Sequence, residues 1–256
     1  MTKIAIIVYS TYGHVLALSK EIQKGLKSQD KNIQADIFQV PETLSEEVLS
    51  LISAPPKDPS IPAATTQVLL DYDGFLFGIP TRYGNIPSQL ATLIDQTGEL
   101  WATAALYHKP AGVFVSTGTQ GGGQEVTIKS FLSFLAHHGI IYVPLGYGPA
   151  FPLLTSFDEA HGGSPWGSGT FAGVDGSIQP SENTLKLAFL QGQEFAKAAA
   201  KFIPENKKTI NTTGEISSKK LQDARTGQSK PGATSTTKPE ATSDEGTFCG
   251  FKCTII

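Results

Sequence analysis

The stretch KIAIIVYSTYGHV, residues 3–15, decides the fold of this chain. Its first part, residues 4–8, is a continuous apolar run, which is typical of a parallel strand buried on both faces. A polar turn at residues 10–14 follows, and from Val15 to Leu26 apolar side chains recur on one face of a predicted helix. The strand therefore leads through a hydroxyl-rich turn to a helix N-terminus, where free N–H groups and the helix dipole favour an anion such as a phosphate.

The residues of this turn limit which phosphate ligand it can hold. No Gly-Lys-Ser/Thr sequence serves a triphosphate, and no G-x-G-x-x-G follows the strand as a dinucleotide turn requires. Ser10 and Thr11 offer hydroxyl donors and Gly13 lets the backbone approach closely, without a cationic side chain, which is how flavodoxins bind the phosphate of FMN. The alternative is an ordinary strand–helix turn capped by serine, and this turn alone does not decide between the two.

Composition excludes several classes of function. The formal net charge of the 256 residues is −3, and no basic stripe with interleaved aromatic residues indicates nucleic-acid binding. The only cysteines are Cys249 and Cys253, so the predicted core has no disulfide and no thiol nucleophile, and we expect a reducing compartment and no metal site. No apolar run is long enough to span a bilayer.

The rest of the chain alternates apolar runs with helical patterns. This alternation predicts a five-stranded parallel sheet with helices on both faces, formed by residues 1–203 as a single α/β domain. Residues 54–62 hold four prolines and predict an irregular surface link. The further strands are predicted at residues 33–40, 74–79, 112–115 and 140–143, and the further helices at 44–52, 68–70, 86–94, 128–135 and 185–202.

A long segment rich in Gly, Pro and Ser, residues 146–178, predicts little regular structure. Because it contains Phe157, Trp166 and Phe171, we interpret it as an ordered flap or an oligomer contact. Its Gly167-x-Gly169-x-x-Ala172 sequence imitates a dinucleotide fingerprint, but no predicted strand precedes it and no predicted helix follows.

Two more polar loops are expected beside the first. Residues 80–85 (PTRYGN) follow the third predicted strand, and residues 116–123 (STGTQGGG) follow the fourth. Carboxyl ends of parallel strands meet at one edge of a sheet, where doubly wound sheets bind their ligands. Ordering a run of glycines costs conformational entropy and so opposes folding. The third loop is therefore better explained by the wrapping of a ligand than by a contribution to the stability of the fold.

The three loops together resemble those of the WrbA-type NAD(P)H:quinone oxidoreductases, a flavodoxin-like family that binds FMN. The resemblance rests on Ser10-Thr-Tyr-Gly-His14, Pro80-Thr-Arg-Tyr-Gly-Asn85 and Ser116-Thr-Gly-Thr119, and extends from residue 3 to about 200 through matches at 121–125, 135–139, 162–167 and 172–177. It implies a flavodoxin-like doubly wound sheet with strand order 2-1-3-4-5. The tail is similar to that of the fungal, Ycp4-like members.

The resemblance also implies roles for individual residues. His137 approaches the flavin from a neighbouring strand end or another subunit, Trp101 walls the substrate pocket, and Tyr12 contacts the nicotinamide cofactor. Taken singly, Trp101 and Tyr83 are packing residues, His137 is a helix C-cap, and Arg82 is a surface charge. The implied FMN contacts are made by Ser10, Thr11, Tyr12, Gly13, His14 and Val15 at the phosphate, by Thr81, Arg82, Tyr83, Gly84 and Asn85 at the isoalloxazine ring, and by Ser116, Thr117, Gly118, Thr119, Gln120 and Gly121 at the ribityl chain and the other ring edge.

The implied activity is two-electron reduction of a quinone by NADH or NADPH, with an antioxidant role. One pocket serves both substrates in turn, so we expect ping-pong kinetics, in a homo-oligomer that is a dimer or a tetramer. Arg82 or loop amides stabilise negative charge at the ring, and His137 donates a proton to the quinone. The alternatives are a one-electron flavodoxin carrier, which is usually more acidic than this chain, and a non-enzymatic FMN-binding regulator.

The last part of the chain predicts a lipid-anchored tether. Residues 204–248 are rich in Lys, Thr, Ser and Pro and predict disorder; from 205 to 245 seven Lys or Arg stand against six Asp or Glu, which is not a polybasic patch. Residues 249–256 end in Cys253-Thr-Ile-Ile, which fits a C-a-a-X prenylation sequence. One prenyl chain binds membranes weakly, so we expect palmitoylation of Cys249 as a second signal. The expected location is the cytosolic face of a membrane, first of all the plasma membrane, or the cytoplasm without lipidation.

Overall fold

A parallel sheet forms the centre of the protein. The structure, a computed structural model, describes residues 1–203; the predicted tether (204–248) and lipidation segment (249–256) lie outside the described residues. The strands are β1 Thr2–Val8, β2 Ile33–Gln39, β3 Gly74–Pro80, β4 Pro110–Thr117, β5 Ile141–Tyr142 and β6 Gly169–Phe171. The helices are α1 His14–Gln29, α2 Glu46–Leu51, α3 Thr66–Asp71, α4 Ser88–Asp95, α5 Gly98–Ala102, α6 Gln124–His137, α7 Phe151–Leu154 and α8 Glu182–Ala199, with a 3₁₀ turn at Gly148–Ala150.

The strand order is the one that the resemblance implies. The strands lie in the order β2-β1-β3-β4-β5, all paired in parallel, which confirms the doubly wound sheet. Within residues 1–203, no helix combines the length and the apolar composition needed to cross a membrane.

The fifth position of the sheet consists of two strands. β5 pairs with Pro110 and Ala111 at the start of β4, and β6 pairs with residues 115–117 at its end. The sequence does not predict β6, which lies in the segment expected to hold little regular structure. The buried amide of Gln191 on α8 holds β6 in place: its oxygen accepts from the N–H and the hydroxyl of Ser168, at 2.9 and 2.6 Å, and its nitrogen donates to the Val113 carbonyl at 2.9 Å.

Side chains on alternate faces of the sheet build two cores. On β1, Ile4, Ile6 and Val8 pack with α1 and α8, while Ala5 and Ile7 pack with the helices of the opposite layer. Both sets are fully buried. Strand β1 is therefore apolar without interruption because neither of its faces meets water.

Two glycines allow α1 and α8 to pack closely. A Cβ at Gly25 would clash with the carbonyl oxygen of Phe189, and a Cβ at Gly192 would clash with that of Ile22. The two helix backbones therefore touch at these positions, and this contact fixes α1, whose N-terminus begins at the first polar loop.

Candidate functional site

A cleft of about 310 Å³ opens where β1, β3 and β4 end. It is lined by the three predicted loops and by a fourth segment that follows β6. The lining residues are Ser10, Thr11, Tyr12, His14 and Val15 from the first loop, Pro80, Thr81 and Arg82 from the second, Ser116, Thr117 and Gly118 from the third, and residues 172–176 from the fourth.

The first loop turns sharply into α1. The hydroxyl oxygen of Ser10 accepts a hydrogen bond from the Gly13 N–H at 3.0 Å, which closes the turn. Gly13 has φ +92°, a conformation that favours glycine, and it is the residue before the helix. The turn therefore presents hydroxyl groups and the start of a 16-residue helix to the cleft.

His14 places a buried nitrogen beside the cleft. The residue is 4% exposed and lines the cleft, and its Nε2 is buried with no hydrogen-bond partner among residues 1–203. A buried polar atom without a partner costs free energy, so Nε2 of His14 is a candidate contact for a bound ligand. An imidazole N–H can donate a hydrogen bond to the oxygen of a phosphate at the helix N-terminus.

The second loop is a tight hairpin. Arg82 and Asn85 exchange two backbone hydrogen bonds of 2.8 and 2.9 Å, and the two residues between them, Tyr83 and Gly84, have φ +54° and +77°. The hydroxyl oxygen of Thr81 accepts from the Gly84 N–H at 3.1 Å. The hairpin projects Tyr83 fully into solvent, at a backbone conformation that is strained for a tyrosine. Tyr83, Gly84 and Asn85 lie outside the residues that line the cleft.

The third loop divides between two cavities. Ser116, Thr117 and Gly118 line the cleft, whereas Thr119 and Gln120 line a neighbouring cavity of about 480 Å³ that shares Gly118. Gly121 lines neither of them, and it lies on the exposed side of the loop with φ +65°.

The fourth segment, residues 172–176, belongs to the stretch interpreted from the sequence as a flap or an oligomer contact, and it lines the cleft. The Ala172 N–H donates to the Thr117 carbonyl at 2.8 Å, and Gly173 and Gly176 have φ +79° and +78°. Hydrogen bonds from the Ser177 hydroxyl and N–H lower the pKa of the Asp175 carboxyl, so this carboxylate is ionised at neutral pH. The match at 172–177 to the WrbA-type sequences was the available signal, but only the pairing of β6 with β4 brings it to the cleft.

His137 and Trp101 lie away from the cleft of their own chain. His137 ends α6, a helix of 14 residues and thus about 20 Å long, whose other end adjoins the third loop. Trp101 lies on α5 and is 58% exposed. Thr97, just before α5, contacts His138 at the same end of α6, with 3.0 Å between Oγ1 and Nε2. Neither residue lines the cleft of its own chain.

These features define a flavodoxin-like α/β protein with a polar cleft at the carboxyl edge of its sheet. The chain belongs to the family described as NADPH-dependent FMN reductase, whose model matches residues 2–149.

Relatives with high identity extend over most of the chain. It is 57% identical over 211 residues to a Candida albicans protein named NAD(P)H quinone oxidoreductase YCP4, a match that spans 82% of this chain and 73% of that protein. It is 55% identical over 199 residues to the Candida albicans NAD(P)H quinone oxidoreductase PST3, spanning 78% of this chain and 98% of that protein. These matches confirm the predicted family resemblance of the α/β domain.

Among solved structures, a flavodoxin, WrbA-like protein from Agrobacterium tumefaciens superimposes with a TM-score of 0.54. The match covers 79% of this chain and 99% of that one, at 19% identity, and it shows the flavodoxin-like fold.

FMN is the cofactor, and the residues of the cleft fit it. The first loop offers hydroxyl groups and a helix N-terminus to a phosphate. The second and third loops begin side by side, since the Thr81 N–H donates to the Ser116 carbonyl at 2.9 Å, and both line the cleft.

Proposed function

We propose that this protein uses FMN to transfer two electrons from NADH or NADPH to a quinone. The observation that carries the proposal is the meeting of four polar segments in one open cleft, on a chain more than half identical to proteins named NAD(P)H quinone oxidoreductase. Bound FMN supplies the redox chemistry, because it accepts a hydride from the nicotinamide and passes two electrons to the quinone. The protein binds the flavin, leaves one face open and adjusts the charge around it.

Arg82 is suited to favour negative charge at the ring. Among the described residues that line the cleft, it carries the permanent positive charge, and its guanidinium group is fixed by two hydrogen bonds. A fixed cation stabilises developing negative charge without further reorganisation. Backbone N–H groups of the second and third loops add a smaller stabilisation of the same negative charge.

The initial-velocity pattern tests this proposal. Because one open cleft serves both substrates in turn, NAD(P)H and benzoquinone varied together should give parallel double-reciprocal lines. Intersecting lines would mean that both substrates bind at once. A one-electron carrier would instead show slow turnover with NAD(P)H and quinone and fast exchange with a protein donor; the near-neutral charge of the chain argues against this alternative.

A shared site in a homo-oligomer accounts for the positions of His137 and Trp101. Both are exposed at the edge of the sheet opposite the cleft, so a neighbouring subunit can bring them to a flavin in a dimer or a tetramer. In this arrangement His137 is the proton donor to the quinone oxygen and Trp101 walls the pocket. If His137→Ala turned over quinone at the wild-type rate, the role as an acid would be lost.

Subunit mixing tests the shared site directly. An Arg82→Ala protein and a Trp101→Ala/His137→Ala protein are each expected to have low activity. Unfolded, mixed and refolded together, they should regain activity, because some cleft in a mixed oligomer then has all wild-type residues. Failure to regain activity while mixed oligomers form would show that each site is built from one chain.

The tail is proposed to attach the enzyme to the cytosolic face of a membrane, where it would reduce membrane quinones and limit oxidative damage. Support comes from the Cys253-Thr-Ile-Ile sequence and from Cys249, a candidate for palmitoylation, four residues before it. In a eukaryotic host, Cys253→Ser should move the protein from the membrane to the soluble fraction, and Cys249→Ser should weaken attachment. Membrane retention of the Cys253→Ser protein would refute prenylation as the anchor.

A further inference from the structure

Lys57 lies directly behind the first loop, on the side away from the cleft. Its Nζ donates to the carbonyl oxygen of Ser10 at 2.8 Å, lies 3.3 Å from Oε2 of Glu42, and sits 4.2 Å from the centre of the Tyr9 ring. The lysine belongs to the proline-rich link, 47 residues along the chain from Ser10. It is absent from the residues that line the cleft and lines instead a separate groove on the outer side of Thr11.

A network of hydrogen bonds fixes the ammonium group in this place. The Glu42 carboxylate accepts from the Tyr9 hydroxyl at 3.0 Å and from Nε2 of Gln89 at 2.9 Å. Burial alone would raise the pKa of Glu42, but hydrogen bonds from the Leu44 N–H, the Tyr9 hydroxyl and the Thr43 N–H outweigh it and lower that pKa. Burial raises the pKa of Tyr9 to about 12, so this phenol stays a donor. Glu42 therefore remains an anion that holds Lys57.

The contact with Ser10 sets the direction of one peptide group. Among the described residues no peptide bond is cis, so the Ser10 carbonyl and the Thr11 N–H point in opposite directions. Because Lys57 holds the carbonyl oxygen behind the loop, the N–H is directed toward the cleft. Among residues 1–203, this N–H donates to no backbone carbonyl.

We propose that Lys57 is a positioning residue for the FMN phosphate, which keeps the Ser10–Thr11 peptide oriented with its N–H toward the ligand. A reversed peptide would direct the carbonyl oxygen, with its partial negative charge, at a phosphate dianion. The lysine thus contributes to selection of FMN over riboflavin without touching either.

The alternative is that Lys57 acts on the phosphate as a distant charge. The two accounts differ in their dependence on salt, since an attraction through solvent is screened over about 10 Å at 0.1 M salt, whereas peptide orientation is not. The two accounts also predict opposite effects of Glu42→Gln on FMN binding. That change leaves the lysine charge uncompensated, so it should strengthen FMN binding if charge acts alone and weaken it if Glu42 holds Lys57 on the Ser10 carbonyl.

The test is titration of the full chain with FMN and with riboflavin, followed by flavin fluorescence. Lys57→Met keeps the aliphatic stem over Tyr9 and removes the ammonium group. We expect its Kd for FMN to rise about tenfold, which is the effect of losing one charge-assisted hydrogen bond. The Kd for riboflavin should stay unchanged, and the ratio of the two Kd values should not depend on salt. Lys57→Arg should restore most of the FMN affinity.

Lys24→Met is the matched control, because Lys24 is an exposed lysine paired with Glu21 on α1. It should leave both constants unchanged. The proposal is overturned if Lys57→Met binds FMN like the wild type, if it loses FMN and riboflavin equally, or if its defect disappears at high salt. If Lys57→Met does not fold, the ratio of the Kd values for FMN and riboflavin is measured in Lys57→Arg and Glu42→Gln instead, and it tests the proposal in the same way. No nicotinamide or quinone enters the assay, so its outcome is independent of the proposed reductase activity.

Discussion

Arg82 and Thr11 join two of the loops across the cleft: Nη2 of the arginine donates to Oγ1 of the threonine at 3.2 Å. Nη1 of the same guanidinium group donates to the Thr81 carbonyl at 2.9 Å. The planar group makes both contacts at once, which the single ammonium of a lysine cannot reproduce with the same geometry. Arg82 therefore fixes the separation of the first and second loops and places a positive charge between them.

Substitution of Arg82 should separate charge from geometry. Arg82→Met removes both, and we expect its Kd for FMN to rise about tenfold or more, while Arg82→Lys keeps the charge and should lose less. Fluorescence titration with FMN measures both constants. Equal FMN affinity in the wild type and both variants would show that the bridge to Thr11 is not needed for binding.

His14→Leu should affect stability and binding in opposite directions. The change removes a buried nitrogen that has no partner among the described residues, so the flavin-free protein should become about 1 kcal/mol more stable to urea. If Nε2 of His14 pairs with the FMN phosphate, the same change should also lower FMN affinity.

His161→Leu is the control for that pair of effects. Both ring nitrogens of His161 lie 3.1 Å from carbonyl oxygens, outside the cleft. This variant should be no more stable than the wild type and should keep its FMN affinity. A stabilised His14→Leu protein that binds FMN normally would remove His14 from the phosphate site.

The contact between α1 and α8 should not tolerate a methyl group. Gly192→Ala places a Cβ against the Ile22 carbonyl, and we expect a loss of about 1–3 kcal/mol in the free energy of unfolding. Gly98→Ala on α5 is the control, since a Cβ there meets nothing within 4 Å and alanine favours a helix. Chemical denaturation of the two variants measures the difference, and equal stabilities would contradict the close packing.

His138 should make the protein less stable in mild acid. Burial, followed by the charge of His137, lowers the pKa of His138 below its ordinary value of about 6.5. Between the two values the unfolded chain binds more protons than the folded chain, so the free energy of unfolding falls as the pH decreases from about 6.5 toward the lowered pKa.

Substitution isolates this dependence on pH. His138→Gln, which can keep a hydrogen bond to Thr97, should flatten the fall in stability over that range. His137→Gln should leave most of it, because burial is the main cause. Urea unfolding at several pH values checks both; an equal slope in the wild type and His138→Gln would assign the dependence to other groups.

The sequence predicts the sheet well because its strands are encoded locally. Residues 4–8 and 74–79 are apolar without interruption, and in the structure both faces of β1 and β3 are covered. β6 is different: its three residues carry no strand pattern, and it exists because Gln191 and Gln124 reach it from distant helices, the latter through its Nε2 to the Thr170 carbonyl at 3.0 Å.

In the candidate site, too, the sequence predicts local features but not contacts between distant parts of the chain. The first loop and the glycines of the third could be read from the sequence, since their backbone requirements are local. Lys57 could not, because the proline-rich link gives no sign that it folds back onto Ser10. Nor does the sequence show that α6 carries His137 to the edge of the sheet opposite the cleft.

The most direct test of the central claim is anaerobic mixing of the FMN-loaded protein with its two substrates in turn. We expect NADH or NADPH to bleach the flavin absorbance rapidly, and benzoquinone then to restore it rapidly, both within the time of one turnover. If the flavin binds but neither nucleotide bleaches it at a useful rate, the protein is not an NAD(P)H:quinone oxidoreductase.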